Sequence, residues 1–213
     1  MTQTAQDQML HWDQAYAERT SAQMSWTEES PRLSWELIKA CKLDPEAALI
    51  DVGGGASRLS KELLHLGYSD LTVSDISLTA LERAKSDLGG DAGRITWVTG
   101  DVRTVDFGRR FDLWHDRAVF HFMVEPRDRA AYVENLKRSL RVGGQLILAT
   151  FGPDGPNECS GLPVRCYDAH TLASAVGPDF EPVSSRLHDH RTPSGAIQQF
   201  HYAHFERRGD DGP

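Results

Sequence analysis

The stretch LIDVGGGASRLS, residues 49–60, constrains this chain more than any other: an apolar run ends in one acid and meets three glycines in succession. Gly53, Gly54 and Gly55 break a strand-like pattern, and a helical pattern resumes behind them. Glycine permits a sharp backbone turn and lets a ligand approach the main chain closely. A following helix aims unpaired N–H groups and its positive end at an anionic or zwitterionic ligand. In open α/β sheets that corner lies at the carboxyl ends of the strands, near the point where strand order reverses.

The rest of the chain alternates in the way such a sheet requires. RLSKELLHLG reads as a helix, DLTVSD as a strand, SLTALERAKSDLGG as a helix and RITWVTGD as a strand. FDLWHDRAVFHFM begins as another strand. RDRAAYVENLKRSLRVGG reads as a helix ending at Gly143, and QLILATFG as a strand. Strands alternating with helices of this length predict βαβ units, a parallel sheet and helices on both faces. After Gly152 come a Gly/Pro-rich loop, GPDGPNECSGLP, and a short helix, DAHTLASAVG. Two segments, FEPVSSRLHDHRT and QQFHYAHFERR, then flank a TPSGA turn as an antiparallel pair. Residues 1–34 are expected as a helical extension carrying Trp12, Tyr16 and Trp26 over the ligand edge. Residues 35–207 form the main domain, and 208–213 a disordered tail.

Composition narrows the partners. With 31 acidic against 23 basic residues the formal net charge is −8, which argues against a broad nucleic-acid surface. No apolar run approaches a membrane span, and the polar opening MTQTAQDQML lacks a signal-peptide core. A cytoplasmic location without membrane contact is therefore expected. Cys41, Cys159 and Cys166 are too few for a disulfide framework and lack metal-finger spacing, so free thiols and no metal are expected.

Two ligand classes use a glycine corner of this kind. The dinucleotide fingerprint needs a third glycine, and that position is Arg58 here. Two further acids give the second class. Asp75 ends the next strand, where a carboxylate accepts both hydroxyls of a ribose. Asp101, with Val102 beside it, ends the third strand and suits the amino group and face of an adenine. A purely structural tight turn would not call for acids at three successive strand ends.

Taken in order, DVGGG, VSD, TGDV, FDLWHDRAVFHF and RVGGQLILATF resemble the class I S-adenosylmethionine-dependent methyltransferases over about residues 35–150. That resemblance implies a Rossmann-like fold: a doubly wound, mostly parallel seven-stranded sheet with helices on both faces and an antiparallel last strand. Within the class, WDQAY…SW, VGGGASRLS and HDRAVFHF look like a methyltransferase-like group that includes protein-lysine methylating enzymes. That group usually writes G-C-G-N-S and D-K-G-T-L-D. Here Gly54 and Ala56 replace the Cys and Asn, and Arg117, Ala118 and His121 replace the Lys, Gly and final Asp. Cofactor binding survives these departures; protein-lysine specificity does not follow from them.

By carry-over, Asp51, Gly53, Gly54 and Gly55 should line the methionine part of S-adenosylmethionine, with Ser57 and Arg58 near its carboxylate. Asp75 should take the ribose, Ile76, Asp101 and Val102 the adenine, and Trp26 and His115 complete the cofactor site. His115, Asp116 and His121 are the catalytic candidates, since histidine suits general-base work near neutral pH. Arg117 is a candidate partner for an anionic substrate. The expected reaction is methyl transfer to a small molecule by a monomer or homodimer, leaving S-adenosylhomocysteine. A protein lysine is the alternative acceptor. Alternatives of another kind are an NAD-type oxidoreductase and a non-catalytic nucleotide-binding module.

Overall fold

Alternating apolar positions along the strands build a sheet buried on both faces. The computed structural model describes residues 4–209. Its strands are β1 (Ala48–Val52), β2 (Asp70–Asp75), β3 (Ile95–Thr99), β4 (Phe111–Arg117) and β5 (Leu140–Phe151). A short hairpin of β6 (Glu158–Cys159) and β7 (Leu162–Pro163) follows, then β8 (Phe180–Arg191) and β9 (Ile197–Arg207). The helices are α1 (Ala5–Glu18), α2 (Arg32–Ala40), α3 (Leu59–His65), α4 (Leu78–Leu88), α5 (Pro126–Ser139) and α6 (Ala169–Val176).

The seven-stranded sheet runs β3-β2-β1-β4-β5-β9-β8. The first five strands pair in parallel, and β9 inserts antiparallel between β5 and β8. Strand order reverses between β1 and β4, which opens a crevice at their carboxyl ends. The expected doubly wound sheet with an antiparallel last strand is the one observed.

Side chains of successive strand residues point to opposite faces. Leu49, Leu71, Val73, Leu113 and Ile147 pack with Ile38 of α2, Leu59 and Leu63 of α3 and Leu81 of α4. Ile50, Val52, Trp114, Leu146 and Leu148 pack with Tyr132 and Leu136 of α5 and Leu172 of α6. The same alternation sorts the polar end of β4. His115 falls on the face of Leu113 and reaches Ser34 of α2, whereas Asp116 falls on the face of Trp114 and reaches Tyr132 of α5.

Two local features depart from the sequence reading. The helix expected to run to Gly143 stops at Ser139, because Leu140 is buried and already pairs with Phe111 across an irregular register. The Gly/Pro-rich loop contains the β6–β7 hairpin. Its two-residue turn, Ser160 at φ +54° and Gly161 at +76°, matches the right-handed twist of the flanking strands. The expected boundary between residues 34 and 35 falls inside α2. The expected tail starts with Arg208, whose N–H donates to the Asp179 carbonyl and whose guanidinium pairs with Glu181. Residues 210–213 of that tail lie outside the described residues.

α1 is docked onto the body rather than set apart from it. Asp13 accepts from the Ser77 hydroxyl (2.6 Å) and the Thr79 N–H (3.0 Å) at the start of α4, and Arg83 of α4 donates to the Tyr16 carbonyl (2.8 Å).

A buried chain of hydrogen bonds ties α5 to the end of β4. Trp114 Nε1 donates to Tyr132 Oη (2.9 Å), and the Tyr132 hydroxyl donates to Asp116 Oδ2 (2.5 Å). Tyr132→Phe strands a buried donor and weakens the solvation of a buried carboxylate. It should lower stability in urea unfolding by about 1–3 kcal/mol.

Candidate functional site

The crevice begins at the glycine turn. The N–H groups of Gly53 (2.7 Å) and Gly54 (3.2 Å) both donate to the Ser74 carbonyl, stitching the turn after β1 to the end of β2. Gly53 sits at φ +65°, and a Cβ there would overlap the Val119 side chain. A Cβ on Gly55 would lie 2.7 Å from Asp75 Oδ2 and 3.0 Å from the Tyr16 hydroxyl. The glycines therefore serve close approach as well as chain reversal. The helix behind them, α3, has seven residues, and Ser57 Oγ accepts from the Leu59 N–H at its start (3.1 Å).

The turn brings two carboxylates to the crevice floor. Asp75 is buried, and its Oδ1 accepts from the Ser77 N–H (2.9 Å). Burial, reinforced by the nearby Asp51 charge, pushes its pKa up to about 7. Asp51 Oδ1 accepts from His115 Nδ1 (2.7 Å), while its buried Oδ2 has no hydrogen-bond partner among the described residues. His115 Nε2 lies 2.9 Å from the Ser34 hydroxyl, so both nitrogens of the ring are engaged. Since a carboxylate only accepts, His115 Nδ1 carries the hydrogen in its bond to Asp51.

One continuous cleft of about 820 Å³, its open mouth included, runs over this floor. Val52, Gly53, Asp75, Ile76, Asp101 and Val102 line its sheet side. Trp12, Tyr16 and Trp26 cover it from the N-terminal segment, their rings stacked edge to face at 5.5 and 6.1 Å between centroids. Cys159 and Leu162 of the β6–β7 hairpin close another wall, and Arg19 holds that hairpin through Ser160 Oγ (3.1 Å). A second compartment continues past Gly53, Gly54, Ser57 and Arg58 to Ser34, Asp51, His115 and Arg117.

The structure brings together most of the residues singled out in the sequence. Trp26, Asp51, Gly53, Gly54, Ser57, Arg58, Asp75, Ile76, Asp101, Val102 and His115 line one compartment or both, and Gly55 lies beneath them against Asp75. Arg58 donates to the Glu29 carbonyl (3.0 Å), bracing the N-terminal segment. Asp101 is not free: Arg103 grips both its oxygens, and Arg103 also reaches Gln8 and Asp128. An adenine amino group would share this carboxylate with Arg103.

Two catalytic candidates are not brought to the cleft. Asp116 accepts from the N–H groups of Val119 (2.8 Å) and Phe120 (3.0 Å) and from Tyr132, which holds the turn after β4. Its burial raises its pKa to about 6 despite those donors. His121 is wedged between Phe122 and Phe151, and its Nδ1 accepts from the Phe151 N–H (3.3 Å). Burial, aided by the Arg117 charge, drives its pKa down to about 3, so it stays neutral. The expectation that these two face a substrate is corrected by their position on the α5 side and within the aromatic packing. The loop after β5, expected to shape the pocket, supplies Cys159 and Leu162, whereas sequence reasoning missed Phe122 and Met123, which come from a segment without regular periodicity.

Residues 49–144 match the family model described as a methyltransferase domain. Over these residues the chain matches a methyltransferase domain, and the sheet has the Rossmann-like fold of such domains. Over 117 residues, 52% of this chain, the sequence is 28% identical to a malonyl-[acyl-carrier protein] O-methyltransferase of Halalkalibacterium halodurans, covering 41% of that protein. It is 21% identical over 174 residues, 78% of this chain, to the mouse eEF1A lysine and N-terminal methyltransferase, of which it covers 22%. The chain thus spans less than half the length of the curated relatives it matches. A solved structure of Burkholderia thailandensis 1,6-didemethyltoxoflavin-N1-methyltransferase with bound 1,6-didemethyltoxoflavin and S-adenosylhomocysteine superposes with a TM-score of 0.75 at 19% identity. The match covers 98% of this chain and 92% of that one. The matched region carries the glycine turn and the strand-end acids that line the crevice.

Gly53→Ala forces a side chain into the left-handed region and against Val119. It should lower the unfolding free energy of the methyltransferase domain by at least about 1–2 kcal/mol. Gly90→Ala, where the space is open, should leave urea unfolding nearly unchanged.

Proposed function

We propose that this methyltransferase domain transfers the methyl group of S-adenosylmethionine to a small-molecule acceptor. The observation that carries the reading is the buried Asp75 carboxylate, set between the glycine turn and the cleft floor with a pKa of about 7. Such a group calls for further hydrogen-bond donors, and a vicinal diol supplies two. Asp51 Oδ2, buried and without a partner among the described residues, calls for a donor in the same way. The amino group of a methionine end is one. The residues present fit this cofactor in donor set and in sequence along the sheet.

In this reading Asp75 holds the ribose hydroxyls, and Ile76 and Val102 flank the adenine while Asp101 meets its edge. Asp51, Gly53, Gly54 and Gly55 hold the methionine end, with Ser57 and Arg58 beyond them. When bound, the cofactor supplies an electrophilic methyl on a cationic sulfur. Trp12, Tyr16 and Trp26 exclude water and offer ring faces that attract a cation. In-line displacement at a methyl asks chiefly for positioning of the nucleophile. The histidine of the cleft, His115, is bonded at both nitrogens, and burial pushes the Cys159 thiol up to about 11. The chain therefore positions a nucleophile that arrives with its own lone pair.

The small-molecule reading rests on enclosure: α1, the Trp26 segment and the β6–β7 hairpin wall the cleft, which suits a compact acceptor better than a folded surface. Against a dinucleotide stands Arg58 in place of the third glycine. Calorimetric titration of the purified protein with S-adenosylmethionine, S-adenosylhomocysteine and NAD tests the proposal. Micromolar binding of the two sulfur nucleosides is expected, with Asp75→Ala weakening it by about tenfold or more, roughly 1.4 kcal/mol. Binding of NAD alone, or of none of the three, would overturn it.

A further inference from the structure

The cleft carries one cation that the roles above leave unused. Arg117 ends β4 and lines both compartments, next to Ala118, Val119 and Phe122. Its guanidinium is held in place on three sides. Nε donates to the Tyr202 hydroxyl (3.0 Å) and stands 3.2 Å from Glu28 Oε2. Nη1 donates to the Trp26 carbonyl (2.8 Å), and the Phe200 ring lies beneath it, 4.5 Å from the centroid. The side chain keeps only 12% of its exposure, and Nη2 is buried with no hydrogen-bond partner among the described residues.

A guanidinium stays charged at any physiological pH and presents its N–H groups as a rigid fork matched to a carboxylate. Leaving one arm of a buried fork empty costs more than leaving a neutral donor empty. The groups around it are aromatic or apolar: Trp26, Phe122, Phe200 and a buried, protonated Cys159. Glu28 is the carboxylate paired with it. The positive field it adds also helps to hold His121 and His190 neutral, after burial.

We propose that Arg117 is a carboxylate receptor in the cleft, its unpaired Nη2 taking an acid group on the methyl acceptor. This rests on the methyl-transfer reading and adds to it a substrate class: acceptors bearing a carboxylate close to the methylated atom. The amino-acid end of the cofactor is the other source of the same chemistry.

Arg117→Met, compared with wild type, separates these. One arm measures calorimetric binding of S-adenosylhomocysteine and of 5′-methylthioadenosine, which lacks the amino-acid end. The other measures saturation-transfer NMR of acetate, malonate and benzoate on protein saturated with S-adenosylhomocysteine. The expected result is carboxylate signals in the wild type and their loss in Arg117→Met with partial recovery in Arg117→Lys, any change in nucleoside affinity being equal for the two through the Trp26 contact. A tenfold loss for S-adenosylhomocysteine alone, with 5′-methylthioadenosine kept, would support the receptor and assign the carboxylate to the cofactor.

Carboxylate signals that survive in Arg117→Met, or that are absent from the wild type, would overturn the proposal. Failure of the wild type to bind S-adenosylhomocysteine counts against the methyl-transfer reading instead. The NMR arm on the free protein then decides for or against the receptor.

Discussion

The Ser74 carbonyl, accepting the N–H groups of both Gly53 and Gly54, is the contact on which the site depends. It folds the turn after β1 over the end of β2 and leaves no room for a side chain at the turn. Asp51 and Asp75 are thereby brought to one floor, close enough that the charge of Asp51 helps raise the pKa of Asp75. Two carboxylates this deep are costly to ionise unless donors reach them. His115 answers one oxygen of Asp51 and Ser77 one oxygen of Asp75. The unmet capacity is the physical basis for a ligand rich in hydroxyl and amino donors.

The strand period then divides labour at the end of β4. Leu113, His115 and Arg117 share the face toward α2 and the N-terminal segment, whereas Trp114 and Asp116 share the face toward α5. His115 thus braces Asp51 and Arg117 reaches the cleft wall, while Asp116 is spent on the following turn and on Tyr132. The same period places Tyr202 of β9 where it meets Arg117. The covering segment belongs to the body in the same sense: Asp13 binds the start of α4, and Arg83 and Arg58 bind carbonyls on either side of Trp26.

Much of this was legible in the sequence because short-range rules govern it. Gly53–Gly55 after ALIDV, the acids at 75 and 101, and the helical repeats between them placed the sheet, the crevice and most cleft residues. Tertiary pairing decided what local pattern could not. Leu140 left a helix-forming context to pair with Phe111, and Ser160-Gly161 made a hairpin inside an apparent loop. Asp101 found a partner two residues away in Arg103. His121 looked like a base by residue type, but Phe122 and Phe151 enclose it. The strand period of FDLWHDR would have separated His115 from Asp116, had it been applied to the polar residues as it was to the apolar ones.

The central claim is that Asp75 receives the ligand's hydroxyls, and the measurement that tests it most directly is proton release on binding. Calorimetry with S-adenosylhomocysteine at pH 7, in buffers of different ionisation enthalpy, counts those protons. The free carboxyl titrates near pH 7, so it is about half protonated there. Hydroxyl donors favour its ionised form, and binding should release about half a proton, falling toward zero well above pH 7 and disappearing in Asp75→Asn. Proton uptake, or no exchange at pH 7 in a protein that binds the nucleoside, would contradict the account.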